Sequence, residues 1–134
     1  MAIDCKDPER LARFWVEALR YAVQTAPAGH ATWSEFSAAV AEDPEEAWCK
    51  IEDPEGLGPT VLFHRVPEEK STKNRVHLDL FVTPTDKLES HHHLVDAEVD
   101  RLVGLGAAHM RTKADETDYF VILSDPEGNE FCVG

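Results

Sequence analysis

The sequence has few basic residues, few cysteines and no long apolar segment. Its 134 residues include 13 Lys and Arg against 26 Asp and Glu, which gives a formal net charge of -13 at pH 7. Because contacts with phosphate groups need clustered Lys and Arg, this balance argues against nucleic acids and anionic membranes as partners. The three cysteines, Cys5, Cys49 and Cys132, lack a Cys-x-x-Cys spacing. They therefore argue against a disulfide scaffold and against a structural zinc site.

Targeting and membrane signals are also missing from the sequence. No segment approaches the length of a membrane span, and the first residues are not a basic stretch followed by an apolar one. We therefore expect a cytoplasmic protein without a membrane partner. The hydrophobic content of 43% argues against disorder. A chain of this length is expected to form one domain, residues 1–134, that buries about two thirds of its unfolded surface.

The predicted elements run strand, helix and three strands in each half of the chain. The first half has predicted strands at 2–5, 21–25, 47–52 and 60–66, a helix that starts at Asp7-Pro8 and an inserted helix at 32–42. The second half has predicted strands at 76–82, 107–112, 119–123 and 130–133, and a helix whose apolar stripe is Leu94, Val95, Val99, Leu102 and Val103. An Asp-Pro-Glu-Gly sequence, typical of a type I turn, precedes the last strand of each half.

This repeat predicts an α+β fold of two βαβββ modules. Module one covers about residues 1–66, a polar linker about 67–75 and module two about 76–134. We expect paired, curved mixed sheets around a cleft, which is a common place for a small-molecule site. The triplet His91-His92-His93 is predicted to lie in a polar connection before the second-half helix, as solvated side chains.

Two strands of module two combine an apolar face with a chemically active one. Strand alternation places these side chains on the apolar faces: Val76, Leu78, Leu80, Val82, Phe131 and Val133. The opposite faces carry His77, Asp79, Phe81, Glu130 and Cys132. In the strand at 60–66, Leu62 and His64 lie on the face opposite Val61 and Phe63. The imidazole and the carboxylate on these faces indicate where a candidate site lies.

Several stretches together resemble one known superfamily. They are residues 4–15, 74–80 and 125–133, with Gly58-Pro59, Phe63 and Val66-Pro67-Glu68 between them. On these stretches the chain resembles the glyoxalase, bleomycin-resistance and extradiol-dioxygenase (vicinal oxygen chelate) superfamily, and within it the glyoxalase-like domain proteins. The resemblance implies one divalent metal, such as zinc, iron, manganese or nickel, held by the first and last strands of each half. It also implies that this metal chelates vicinal oxygens of a small molecule.

Carried over residue by residue, the resemblance assigns His77 and Glu130 as metal ligands, and Glu130 also as a base. The first-half partner of His77 would fall at or before Met1, and the counterpart of Glu130 is either Leu62 or His64. The largest protein ligand set is therefore His64, His77 and Glu130. The expected substrate pocket has Leu62, Asp79, Phe81 and Cys132 as its lining, with Asp79 orienting the His77 ring.

Two functions remain open from the sequence. The first is a metal-dependent lyase, isomerase or dioxygenase that acts on a small oxygenated metabolite, with the metal as a Lewis acid. The second is a non-catalytic protein of the bleomycin-resistance type that binds or sequesters a small molecule. The lack of a possible metal ligand at the first-strand position of the first half favours the second function. The presence of His77 together with Glu130 favours the first. The superfamily and the exposed strand edges also suggest a homodimer.

Overall fold

The computed structural model describes residues 1–43, 45–82, 88–115 and 118–134, without the side chains of residues 88–90. The chain divides into two units, unit 1 at Met1–Lys70 and unit 2 at Ser71–Gly134. The division falls inside the stretch predicted as the linker. Within the described ranges, no helix is both long and apolar enough to cross a membrane.

Unit 1 is a four-stranded sheet with two helices. Its elements are β1 Ala2–Cys5, α1 Pro8–Leu19, β2 Ala22–Val23, α2 Trp33–Val40, β3 Trp48–Glu52 and β4 Val61–Arg65. The strand order is β1-β4-β3-β2, with β1 parallel to β4 and the other pairs antiparallel. Helix α1 packs on β3 and β4 and completes a core of fully buried side chains: Leu11, Trp15, Ile51, Val61 and Phe63. Each such side chain contributes about 1.5–3 kcal/mol of burial free energy.

Unit 2 repeats this arrangement. Its elements are β5 Leu78–Leu80, α3 Leu88–Gly104, β6 Ala108–Ala114, β7 Tyr119–Ser124 and β8 Glu130–Val133. The order β5-β8-β7-β6 is the order of unit 1, again with one parallel pair, between β5 and β8. Helix α3 contacts β6, β7 and β8. The prediction of an α+β fold with two βαβββ modules and one inserted helix is therefore confirmed.

Short-range signals in the sequence set the helix starts. The Asp7 carboxylate accepts from the backbone N–H of Arg10 at 3.0 Å, and Pro8 takes the first helical position of α1. At α2, the Thr32 hydroxyl accepts from the N–H of Glu35 at 3.1 Å, as in a capping box. The reciprocal bond differs, because the Glu35 carboxylate accepts from the N–H of Ala31 at 2.8 Å.

Both Asp-Pro-Glu-Gly turns form, and each is held by its aspartate. In unit 1 the Asp53 carboxylate accepts from the N–H of Glu55 at 2.9 Å, of Leu57 at 3.0 Å and of Gly58 at 2.8 Å. In unit 2 the carboxylate of Asp125, which is 3% exposed, accepts from the N–H of Glu127 and of Asn129, both at 2.9 Å. The two turns therefore hold the connections between β3 and β4 and between β7 and β8.

Several element boundaries differ from the predictions. Strand β5 is shorter than the predicted 76–82, and Val76, expected on a buried face, is 75% exposed. Strand β2 is shorter than 21–25, and α2 ends at Val40 instead of 42. Pro44, two residues after the predicted end of α2, lies outside the described residues, as do residues 83–87 before α3.

Helix α3 corrects two further predictions. It begins at Leu88, so the histidine triplet lies inside the helix and not in a connection before it. Val95, Val99 and Leu102 are buried as predicted, but Leu94 is 42% and Val103 44% exposed. Since successive helical residues are about 100° apart, Leu94 and Val103 flank the buried face on opposite sides.

Candidate functional site

The candidate site of unit 2 lies on the sheet face opposite the buried core. In the parallel pair β5–β8, Leu78 is opposite Phe131 and Asp79 is opposite Cys132. Phe131 and Val133 are buried, whereas Glu130 and Cys132 lie on the other face, as strand alternation predicts. His77 directly precedes β5, and Glu130 opens β8.

Glu130 is the most enclosed polar side chain of this group, with 9% of its side chain exposed. The Lys73 ammonium donates to its Oε2 atom, and the backbone N–H of Asn74 donates to the same carboxylate. The bond from Lys73 is the main reason that the pKa of Glu130 lies below its ordinary value of 4.5, against the opposing effect of burial. Glu130 is therefore an ionised carboxylate held by the segment that leads into β5.

His77 lies beside this carboxylate. Its Nε2 atom is 3.9 Å from Glu130 Oε2, and 30% of its side chain is exposed. This distance is too long for a hydrogen bond. Two ligands bound to one zinc ion at about 2.0–2.2 Å lie about 3–3.5 Å apart, so a small movement would let both atoms contact one cation. The structure thus brings together two of the three predicted metal ligands.

Asp79 and Cys132 form a second pair on the same face. Burial, first, and then the charge of Asp79 and the hydrogen bond to it raise the pKa of the Cys132 thiol. The thiol therefore stays protonated at neutral pH and is a poor nucleophile. The contact of Asp79 is with Cys132, and its predicted role in orienting His77 stays a prediction. Phe81, also expected in the pocket, is 82% exposed.

His64 lies in unit 1 with different neighbours. Its ring stacks on that of Trp48, with centroids 5.9 Å apart and planes 6° apart, and its Nδ1 atom is 3.9 Å from Asp4 Oδ1. Leu62 lies on the same face of β4, as predicted, and is half-buried. Both residues belong to β4 and to the unit 1 sheet.

The strand register identifies the unit 1 counterpart of Glu130. Val61 pairs with Ile51, and Phe131 pairs with Leu123. Ile51 and Leu123 each precede the aspartate of their turn by two residues, so Val61 corresponds to Phe131 and the preceding residue, Thr60, corresponds to Glu130. The expectation that this counterpart is Leu62 or His64 was wrong, because the connection after Gly56 is only two residues longer than that after Gly128 and therefore reaches Thr60.

This register also separates His64 from the counterpart position. His64 lies four residues beyond Thr60 in the sequence, which is about 13 Å along a strand. Ala2 pairs with Leu62, so the counterpart of Leu78 is Met1 and that of His77 falls before it, as predicted. The role of His64 as a metal ligand stays a prediction that this geometry does not support.

Two residues of the site were missed from the sequence, Lys73 and Asn74. The Asn74 Nδ2 atom donates to the Val76 carbonyl at 3.4 Å, which fixes the amide orientation, and its Oδ1 atom is buried without a hydrogen-bond partner. Both residues were included in the polar linker, and nothing in their local sequence indicates a partner 56 or 57 positions later. Within the described ranges, no three His, Cys, Asp or Glu side chains gather where they could hold a metal ion.

The histidine triplet is not arranged as a metal site. Consecutive residues of a helix point about 100° apart, so the three rings of His91, His92 and His93 diverge. The His92 ring packs on that of Tyr119, with centroids 4.0 Å apart. His92 is therefore a packing residue of α3 and β7.

Comparison with solved structures identifies the same fold in other proteins. One is a glyoxalase/bleomycin resistance protein/dioxygenase family enzyme from Burkholderia phytofirmans PsJN, with a TM-score of 0.65 and 14% identity over 99% of this chain and 93% of that chain. A second is a variant of the fosfomycin resistance protein FosX from Listeria monocytogenes, complexed with Mn(II) and 1S,2S-dihydroxypropylphosphonic acid, with a TM-score of 0.65 and 10% identity over 98% and 85% of the two chains. FosX from Mesorhizobium loti has a TM-score of 0.62 and 13% identity over 99% and 86%.

At these identities the solved structures show a shared fold and nothing more. No curated protein matches the sequence significantly. The profile of the family described as "Glyoxalase-like domain" matches residues 1–134, which is the whole sequence. The chain therefore belongs to the glyoxalase-like domain family.

Proposed function

We propose that this protein binds one divalent metal through His77 and Glu130 and acts as a lyase, isomerase or dioxygenase on a small oxygenated molecule. The observation that supports this proposal is the 3.9 Å separation of His77 Nε2, just before β5, and Glu130 Oε2, at the start of β8. An imidazole nitrogen and a carboxylate oxygen are donors that suit zinc, iron, manganese and nickel. The Mn(II) in the complex of the FosX variant supports it by analogy.

The chain has further atoms that suit such a site. The backbone N–H of Asn74 donates to the Glu130 carboxylate and orients it. The side-chain Oδ1 atom of Asn74 is buried and accepts no hydrogen bond from the described chain. A buried acceptor without a donor costs free energy, so a ligand atom or cation close to it would be stabilised. A bound metal would supply Lewis-acid polarisation of a substrate oxygen. Glu130 would hold the proton that is moved, as the candidate base.

A second function, non-catalytic binding of a small molecule, rests on a different observation. The Lys73 ammonium already neutralises Glu130, and the unit 1 counterpart of Glu130 is a threonine, which is not a ligand that such metals prefer. In this alternative the polar face of unit 2 binds a small molecule without a metal. This is the non-catalytic function, of the bleomycin-resistance type, that the sequence left open.

Metal affinity distinguishes the two functions. The experiment uses Mn(II) and Zn(II) titrations with elemental analysis, in a background with His91→Gln and His93→Gln that retains the packed His92. We expect about one metal per chain, and at least roughly tenfold weaker binding in both His77→Ala and Glu130→Gln, as loss of a ligand implies. His109→Ala is the matched control, because His109 bonds only Thr112 among the contacts described, at 2.9 Å in β6.

Other outcomes decide against the first function. If the protein binds no metal at a defined stoichiometry, or if both site variants bind it as the control does, the metal-dependent proposal fails. A small molecule that binds equally well with and without metal would then support the second function. Homodimer formation also stays a proposal. Strand β6, a sheet edge with every residue exposed, is one of the edge strands available for it, and light scattering would test it.

A further inference from the structure

Two positively charged or chargeable groups approach the same oxygen of Glu130. The Lys73 ammonium donates to Oε2, and His77 Nε2 lies 3.9 Å from that same atom. The position in which a metal would bridge His77 and Glu130 therefore shares its carboxylate oxygen with a cation that belongs to the chain.

The two partners of this ion pair differ in their exposure. The Glu130 side chain is 9% exposed, whereas that of Lys73 is 68% exposed. An enclosed carboxylate needs a compensating charge or donor, because desolvation disfavours an unpaired ion. A largely exposed ammonium, in contrast, is solvated equally well when it leaves. The pair can thus be broken from the lysine side, provided that another cation replaces it.

We propose that Lys73 is the resident cation of this site and competes with the divalent metal for Glu130. The inference rests on the proposed metal site at His77 and Glu130. In the metal-free protein the ammonium stabilises the enclosed carboxylate. A metal held by Glu130 would repel the ammonium and displace it from the carboxylate, so metal binding and the Lys73–Glu130 pair would exclude each other. Lys73 therefore lowers the metal affinity and limits loading to conditions with sufficient free metal.

The sign of one substitution tests this competition. Lys73→Met keeps most of the side-chain length and removes the charge. We expect Mn(II) to bind roughly two- to fivefold more tightly, since an ion pair whose lysine is largely exposed contributes modestly. Lys73→Arg retains the pair and should bind Mn(II) as the unmodified chain does. Lys113→Met is the matched control: it removes the same charge in unit 2 and breaks an ion pair with Asp115 and Asp118, away from Glu130.

A merely structural role for Lys73 predicts the opposite sign, because damage to the site weakens metal binding. Lysine acylation at low reagent ratio, read by mass spectrometry, provides a second measurement on the unsubstituted chain. We expect saturating Mn(II) to increase the acylation of Lys73 relative to that of Lys113, because the metal releases the ammonium.

The outcomes separate this inference from the function on which it rests. If the unsubstituted chain binds metal at His77 and Glu130, but Lys73→Met binds it no more tightly and acylation is unchanged, competition is refuted and the metal site stands. If neither chain binds metal, the proposed function fails and the competition with it. If Lys73→Met binds metal more tightly than the unsubstituted chain does, the competition is supported.

Discussion

The buried turn aspartate of unit 2, Asp125, provides the sharpest test of how the site is positioned. It is 3% exposed, and its carboxylate accepts from two backbone N–H groups at 2.9 Å and from the Asn129 side-chain amide at 3.0 Å. The turn that it closes joins β7 to β8 and sets Ser124 opposite Glu130. Asp125→Ala therefore removes the acceptor that holds the start of β8.

The expected loss of stability follows from these three bonds. A hydrogen bond to a charged group contributes about 1.5–3 kcal/mol, and a buried donor left unpaired costs about 1–3 kcal/mol. The losses do not add, because water enters the space left by the side chain. We expect Asp125→Ala to lower the free energy of unfolding by about 3 kcal/mol. Asp125→Asn keeps one acceptor oxygen and should cost about half as much.

Urea unfolding followed by two probes measures this effect. All three tryptophans, at 15, 33 and 48, belong to unit 1, so fluorescence reports on that unit, whereas far-UV circular dichroism reports on both. Asp53→Ala, in the half-buried turn of unit 1, is the matched control, and its loss should be smaller because water can replace the carboxylate. A loss below about 0.5 kcal/mol for Asp125→Ala, the ordinary range of a surface substitution, would refute this reasoning.

Three further predictions concern the rest of the molecule. The pKa of Asp53 lies below its ordinary value of 3.8, mainly because its carboxylate accepts hydrogen bonds from the N–H groups of Glu55 and Gly58. The ionised Asp53 therefore stabilises the folded state fully above pH 3.8, and this stabilisation is lost as the pH falls towards the lower pKa of the folded state. The difference in urea midpoint between the unsubstituted chain and Asp53→Asn should accordingly shrink between pH 5 and pH 3, and a difference that is constant with pH would contradict this. Burial, with a further effect of the Glu9 charge, raises the pKa of Cys49 to about 11, and Cys5 is also buried. A thiol reagent at pH 8 should therefore label Cys132 first and label Cys5 and Cys49 only after unfolding. Mass spectrometry that finds Cys49 labelled in the folded protein would contradict this prediction. A Cβ at Gly58 would lie 1.9 Å from the Tyr21 hydroxyl oxygen, the far end of a partly exposed side chain, so Gly58→Ala should cost about 1 kcal/mol, the low end for overpacking. This cost should decrease in a Tyr21→Phe background, and thermal unfolding of the double variant shows whether the two positions are coupled.

Prediction from the sequence succeeded where the determining interactions are local. The cap at Asp7, the cap at Thr32 and both Asp-Pro-Glu-Gly turns involve residues within five positions of each other, and each forms as the sequence indicates. The apolar alternation of β4 and β8 also predicted which side chains are buried. The same order of helices and strands in the two units was also predicted, because two copies of the same local signals produce two copies of the same unit.

The predictions for the bounds of β5 and for the counterpart of Glu130 were wrong, because both depend on pairing between strands that are distant in the sequence. Local propensity favours a strand at 76–82, but only Leu78–Leu80 pairs with β8, so Val76 remains exposed. Counting residues from Gly56 could not identify the counterpart of Glu130, because the extra residues of the longer connection lie in an irregular segment before β4 begins at Val61. Only the pairing of Val61 with Ile51 identifies Thr60.

The sequence by itself determined the two-unit α+β architecture, the helix caps, the turns and the strand face on which Glu130 lies. These features depend on side-chain periodicity and on bonds between near neighbours, which a sequence states directly. Tertiary structure alone decided that Lys73 and Asn74 contact Glu130, and that His64 stacks on Trp48. Those contacts depend on strand register and on the path of an irregular segment, where a shift of one residue reverses the direction of every side chain.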